Sequence, residues 1–176
     1  KPMTELVSEA RKLNIIAKKN RCILQIGHLE QFNPAIRKLK CQLKAPEFIE
    51  VHRLCEFNPR ATDVDVVLDL MIHDIDIVLS LIDKNIKKIS VSGKKVITNL
   101  IDIANVRMEF EDNVVANLTA SRISTKNERK MRIFLKNAYY SVDFMSNELK
   151  RLMKSKNKSF KTTSFQFKKS DSLNEE

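Results

Sequence analysis

The chain has 176 residues and a formal charge of +10, with 43% hydrophobic and 31% charged residues. That balance suits one folded domain with a sizeable core and excludes a disordered chain. Only Gly27 and Gly93 are glycine, so a nucleotide cofactor would be bound mainly outside this chain, because dinucleotide and phosphate-cradling turns need several close glycines. No apolar run approaches the roughly 18 residues of a membrane-spanning helix, and Lys1-Pro2-Met3-Thr4-Glu5 carries no signal-peptide pattern.

In chain order, Thr4 is placed to cap a helix running to about Lys19, with Leu6, Ala10, Leu13 and Ala17 on its apolar face and Asn20 as its stop. Arg21 to Ile26 reads as a short buried strand ending at Gly27. Asn33-Pro34 supplies a cap and a first-turn proline for a helix that turns Ile36, Leu39 and Leu43 inward and stops before Pro46. Glu47 to Phe57 reads as a strand, with Ile49, Val51, Arg53, Cys55 and Phe57 on one face. The longest helical pattern, strongly apolar, runs from Asp65 to about Ile82.

The second half changes period. Ile86–Val91, Lys95–Leu100, Ile103–Phe110, Val114–Arg122, Arg129–Lys136 and Tyr139–Phe144 read as strands, with a hairpin turn at Glu111-Asp112-Asn113. Val106, Met108 and Phe110 alternate with polar neighbours, as in an antiparallel sheet with one packed and one wet face. The expected fold class is α+β: a mostly antiparallel, open-faced sheet backed by helices. Cys22, Cys41 and Cys55 are odd in number, lack a Cys-x-x-Cys spacing and lie near apolar residues, which reads as buried free thiols in a reducing cytoplasm.

Residues 147–170 carry eight Lys/Arg against the single acid Glu148. A nucleic-acid contact strip is one reading. A solvated strand-and-loop face is the preferred one, because Phe160, Phe165 and Phe167 sit at mostly odd-spaced, core-facing positions.

The most informative segment lies in the long helix. Asp65, Asp69, His73 and Asp76 fall at i, i+4, i+8 and i+11, forming one polar stripe on an otherwise apolar helix. Ionisable groups are rarely buried without partners, so the stripe faces a cleft or meets cations inside. Three readings compete: a catalytic acid/base pair, in which a carboxylate one turn away supports the imidazole; a structural stripe satisfied by Arg and Lys; and a metal site, for which only His28 and His52 remain as further histidines. His73-Asp74-Ile75-Asp76 also resembles the motif of HD-type phosphohydrolases, but those are all-helical and this second half is strand-rich.

Three features together resemble the second domain of the Gfo/Idh/MocA family of NAD(P)-dependent sugar oxidoreductases. Lys1-Pro2 is similar to the end of the family's Glu-Lys-Pro motif, Asp69-Leu-Met-Ile-His73 matches its Asp-x-x-x-His motif, and the order of elements agrees over residues 1–145. The resemblance implies hydride transfer between a sugar carbon and NAD or NADP, the cofactor being bound mainly by an N-terminal domain. It implies His73 as the base, Asp69 as its orienting carboxylate, and Lys1 at the reacting hydroxyl and the nicotinamide end of the cofactor. Gly27 to Pro34 and His52 to Asp63 further resemble members acting on nucleotide-activated amino sugars such as UDP-N-acetylglucosamine. That makes Arg53 and Arg60 candidates for the diphosphate, with pairing to the acidic stripe as the alternative for Arg53. Glu30, Asn33 and Asp76 are candidates for sugar hydroxyls, Asn33 alternatively being only a helix cap.

Gln31 stands where the family often has Arg, and Asn137-Ala138 where it often has glycine. The whole of residues 1–176 reads as one substrate-binding and oligomerisation domain, clipped at both ends and inactive alone, whose open sheet face pairs with another subunit. The alternatives are a non-catalytic binding or scaffold module of the same fold, and a basic nucleic-acid-binding domain.

Overall fold

The structure, a computed structural model, describes residues 2–59, 63–155, 159–168 and 172–175. Its helices are α1 (Val7–Lys19), α2 (Pro34–Gln42), α3 (Ile72–Leu81) and a single turn, α4 (Ser172–Glu175). The strands are β1 (Phe48–Leu54), β2 (Ile86–Lys94), β3 (Ile103–Phe110), β4 (Val115–Ser121), β5 (Glu128–Leu135), β6 (Ala138–Asp143), β7 (Glu148–Lys154) and β8 (Phe160–Gln166). These strands form one sheet in the order β2-β3-β4-β1-β5-β6-β7-β8. Only the β1–β4 pairing is parallel; β1–β5 and the remaining neighbours are antiparallel. The expected α+β architecture is therefore the one observed.

Register explains the core. Val91, Val106, Leu118, Val51, Met131, Val142, Leu149 and Phe165 lie side by side across the sheet. The neighbouring row runs through Met108, Ala116, Ile49, Ile133 and Tyr140. From Val106 to Leu149 in the first row, and throughout the second, these side chains are buried. Each large aliphatic one contributes about 1.5–3 kcal/mol. Ala104, Ala116 and Ala120 keep the β3–β4 surface shallow, and β4 there contacts the start of the helical segment ahead of α3.

Several local expectations are corrected. Thr4 does not cap α1: its hydroxyl donates to the Leu6 carbonyl at 2.9 Å, and Leu6 occupies the cap position. The expected apolar face of α1 is not covered by the described residues, with Leu6 and Leu13 exposed. Arg21 to Ile26 is not a strand. Arg21 turns through a left-handed φ of 53°, and Ile23 is 96% exposed. An apolar run becomes a strand only beside a partner that completes its hydrogen bonds, and no described strand runs alongside it. Cys22 and Cys41 are exposed rather than buried.

Lys95 to Leu100 is a loop rather than a strand. Asp102 Oδ2 accepts the backbone N–H groups of Val96 (2.8 Å), Ile97 (2.8 Å) and Thr98 (2.9 Å), and Oδ1 accepts the Thr98 hydroxyl at 2.6 Å. A carboxylate gathering donors in this way competes with sheet hydrogen bonding and curls the chain. The basic segment folds as the strands β7 and β8, in line with the strand-and-loop reading preferred for it. Phe165 and Phe167 pack against the core as predicted, whereas Phe160 is exposed. The hairpin turn at 111–113 forms, with Asp112 and Asn113 at φ 56° and 60°, the left-handed conformations those residue types tolerate.

Burial alone would raise the Asp102 carboxyl, but the Thr98 side chain and the three N–H groups hold it well below the usual carboxylate range. A depressed folded-state pKa stabilises above the unfolded value of 3.8 and is lost as the pH falls through the folded one. Asp102→Asn should therefore lower stability at neutral pH by about 1–3 kcal/mol. In denaturant titrations the gap to the wild type should narrow as the pH falls below 3.8; a pH-independent gap would contradict this origin.

Candidate functional site

The predicted long helix is broken where the candidate pair lies. Val67–Met71 forms a π turn, closed by the Ile72 N–H donating to the Val67 carbonyl, and α3 begins at Ile72. Such i-to-i+5 insertions are rare and concentrate at functional sites. The extra residue in that turn redistributes the polar stripe.

Asp65 is committed to structure. Its Oδ1 accepts the Ile101 N–H at 2.8 Å, and its carbonyl accepts those of Leu68 and Asp69. Asp69, on the π turn, and His73, on the first turn of α3, are both half-buried. Asp76 turns toward the loop before α2. It accepts a hydrogen bond from the Gln31 amide, which in turn accepts one from the Lys40 ammonium, and it lies 3.8 Å from His28 Nδ1.

Burial pushes the Asp69 carboxyl up from its ordinary range, Arg122 opposes that, and Asp63 reinforces it. Arg122 is buried at the end of β4 and donates to the Val64 carbonyl at 2.5 Å, where the chain enters the helical segment. Cys55, following β1, has its thiol raised by burial and then by Asp69. Sequence reading passed over Arg122. The available signal was its register with Ala116, Leu118 and Ala120: an arginine at the end of a core-facing series.

The candidate substrate residues fall into two sets. Arg53 occupies a core-facing position of β1 and is 3% exposed. Its Nε donates to Asp74 Oδ2 at 2.8 Å and its Nη2 to Asp74 Oδ1 at 2.7 Å, with Glu30 Oε1 3.7 Å from Nη2. A buried guanidinium with both bonds taken gives the expected diphosphate contact no support. It pairs with an aspartate, as the alternative held, although the partner is Asp74 rather than a member of the stripe. Burial opposes the guanidinium charge, but Asp74 and then Glu30 carry its pKa above the ordinary value. Burial also pushes the Asp74 carboxyl up. The charged pair is nonetheless the state that two in-plane donors onto two oxygens describe.

Asn33 does cap α2, its Oδ1 accepting the Ala35 N–H at 3.0 Å, and its amide donates to Glu30 Oε2 at 3.4 Å. Glu30 itself sits in a 3-10 turn, Leu29–Phe32, and is half-buried. Lys1 and Arg60 lie outside the described residues.

His52 is on the opposite, open face of the sheet, 3.7 Å from Glu50 and 3.5 Å from Glu128. Among the described residues no three potential metal-ligating side chains converge. A cleft of about 580 Å³ lies at the other end of α3, between Leu43, Pro46, Ile82, Lys84 and Asp112. In the basic segment Lys150 pairs with Glu148 at 2.9 Å, and Arg151 stacks over Phe165.

A raised carboxyl in the folded state means that ionised Asp69 works against stability above its folded pKa, with no such effect below the unfolded value of 3.8. Asp69→Asn should raise the melting temperature at neutral pH, and the gain should vanish below pH 3.8. A destabilised variant at neutral pH would show that the carboxylate is held for structure.

The GFO/IDH/MocA C-terminal domain pattern matches residues 36–141. The chain is similar to UDP-N-acetylglucosamine 3-dehydrogenase of Acidithiobacillus ferrooxidans, with 39% identity over 150 residues, covering 85% of this chain and 48% of that protein. The chain thus spans about half the length of that relative. A solved structure of that enzyme superposes with a TM-score of 0.89 at 36% identity, over 98% of this chain and 56% of the other. An inositol dehydrogenase homologue from Azotobacter vinelandii, solved with NADH and myo-inositol, shares the fold, with a TM-score of 0.80 at 16% identity over 92% of this chain and 48% of its own.

Proposed function

We propose, since this chain belongs to the GFO/IDH/MocA family through that family's C-terminal domain, that it is the substrate-binding part of a nicotinamide-dependent sugar oxidoreductase. Its substrate is a nucleotide-activated amino sugar, of which UDP-N-acetylglucosamine is the first to test, given the similarity to the Acidithiobacillus ferrooxidans enzyme. The observation that carries the reading is that Asp69, on the π turn, and His73, on the first turn of the helix that follows, are both half-exposed in a largely apolar segment.

Oxidising a sugar hydroxyl removes a hydride from carbon and a proton from oxygen. NAD or NADP supplies the hydride acceptor when bound. The residues described here suit the proton-handling side of that reaction and hold no glycine-rich cradle for a pyrophosphate. In this mechanism the His73 imidazole accepts the hydroxyl proton. Asp69 orients the ring and offsets the imidazolium charge that results; a carboxylate made more basic by burial does this better than one in water. Glu30, Asn33 and Asp76 hold neighbouring hydroxyls, and the Gln31–Lys40 relay steadies Asp76 where relatives often place an arginine. Lys1 is assigned to the reacting hydroxyl, and Arg60 to the diphosphate.

No described helix is long and apolar enough to cross a membrane. The three free thiols suit a reducing compartment, and we assign the protein to the cytoplasm. The open sheet face carries an aromatic cluster, Phe48–Phe134 at 5.8 Å and Phe134–Tyr139 at 5.0 Å between ring centroids, beside the Glu50–Arg132 ion pair. It is assigned to pairing with a second copy.

In the full-length protein, His73→Ala should reduce turnover of UDP-N-acetylglucosamine by about 10²–10⁴-fold, read as NADH formation, while the circular dichroism spectrum is unchanged. Undiminished turnover would reject the assignment. Phe134→Asp should shift the light-scattering mass toward the monomer; an unchanged mass would place the interface elsewhere.

A further inference from the structure

Arg53 stands where the sheet otherwise buries alanine and aliphatic side chains. Its neighbours on the strand's core face, Ile49 and Val51, are fully covered, and it continues their series with a charge. Asp74, its partner, is 2% exposed. Two apolar side chains of similar volume would commonly be as stable as such a pair, or more so, because both charges give up their hydration. Stability therefore does not explain the pair, and its geometry offers another explanation.

Asp74 directly follows His73 in sequence but points into the core, whereas His73 is half-exposed. Fixing the Asp74 carboxylate thus fixes the rotation of α3 about its axis, and with it the direction in which His73 leaves the helix. The guanidinium is well suited to this, since two parallel hydrogen bonds in one plane define an orientation as well as a distance. The need is local: α3 starts immediately after the π turn, so an unbroken α-helical ladder does not carry its rotation from the residues before it. The same Nη2 lies 3.7 Å from Glu30 in the 3-10 turn, and Glu30 also accepts a hydrogen bond from Asn33. One side chain on β1 therefore ties together the segment bearing the candidate base and the segment bearing the candidate hydroxyl ligands.

We propose that Arg53 is a positioning residue: through Asp74 it sets the direction of the His73 imidazole, and through Glu30 it sets the substrate loop against it. This rests on the reading of His73 as the base and Glu30 as a substrate contact. The guanidinium acts from beneath the site rather than on the nucleotide.

The test uses the full-length protein and compares Arg53→Met/Asp74→Leu, which replaces both charges by hydrocarbon, with Arg53→Lys, which keeps the charge and loses the fork. Melting temperature, kcat and KM for UDP-N-acetylglucosamine, and the ¹⁵N resonances of the His73 imidazole are measured at a temperature where every protein is folded. Positioning predicts that the double variant melts near the wild type, yet has kcat at least tenfold lower, a raised KM and displaced His73 resonances. Arg53→Lys should restore little of the lost kcat. Wild-type kcat with unmoved His73 resonances in the double variant would overturn the proposal. Should the double variant melt far below the wild type, Arg53→Lys decides by the same two readings. If the wild type itself does not turn over nucleotide sugars, the functional reading fails, and the imidazole resonances still decide whether Arg53 orients His73.

Discussion

The bidentate contact between Arg53 and Asp74 is a buried polar joint between β1 and α3, set among apolar core residues. Its geometry has a consequence for every functional side chain nearby. Hydrocarbon packing of Ile49, Val51, Leu118 and Met131 against Met71, Ile77 and Val78 holds the helical layer on the sheet, but it tolerates small rotations and slides. Two short charge-assisted hydrogen bonds do not. The sheet fixes Arg53, Arg53 fixes Asp74, and Asp74 fixes the turn that carries His73.

The π turn gives that constraint its importance. Four polar positions that would line up on a continuous α-helix are divided among separate tasks. Asp65 closes onto Ile101, Asp69 remains half-buried under the influence of Arg122, His73 stays half-exposed on the first turn of α3, and Asp76 is taken by Gln31, while Asp74, off the stripe, goes inward to Arg53. A regular helix would present one stripe to one surroundings. A single segment interrupted by the π turn thus presents one carboxylate to the core, another, Asp69, to a half-exposed position, and a third to the loop before α2. A carboxylate such as Asp69, whose burial Arg122 offsets only in part, is a place where structure gives up some stability, and such places are common where proton transfer is needed.

The sheet was legible wherever a residue's neighbours in sequence decided its state. Val106, Met108 and Phe110 alternate because β3 has one packed face, and Asn33-Pro34 starts α2 because cap and ring are both local devices. Asp112 and Asn113 turn the hairpin for the same reason. Where the deciding partner is distant, the reading failed. Lys95 to Leu100 looks like a strand until Asp102 gathers its N–H groups, and Arg21 to Ile26 looks like one although no described strand lies beside it. In the candidate site, Asp69 and His73 stand out in the sequence by spacing and motif. The inward turn of Asp74 does not, because it depends on a π insertion and on an arginine 21 residues earlier. Gln31 looked like a lost charge, and only the fold brings Lys40 to its amide oxygen.

The most direct measurement of the central claim is a crystal structure of the full-length protein with UDP-N-acetylglucosamine and NAD bound. His73 should lie within hydrogen-bond reach of the hydroxyl to be oxidised, roughly 2.6–3.2 Å between heavy atoms, with Asp69 beside the ring and Arg53 still clasping Asp74. A nucleotide sugar seated away from His73, for instance in the cleft at the far end of α3, would contradict it.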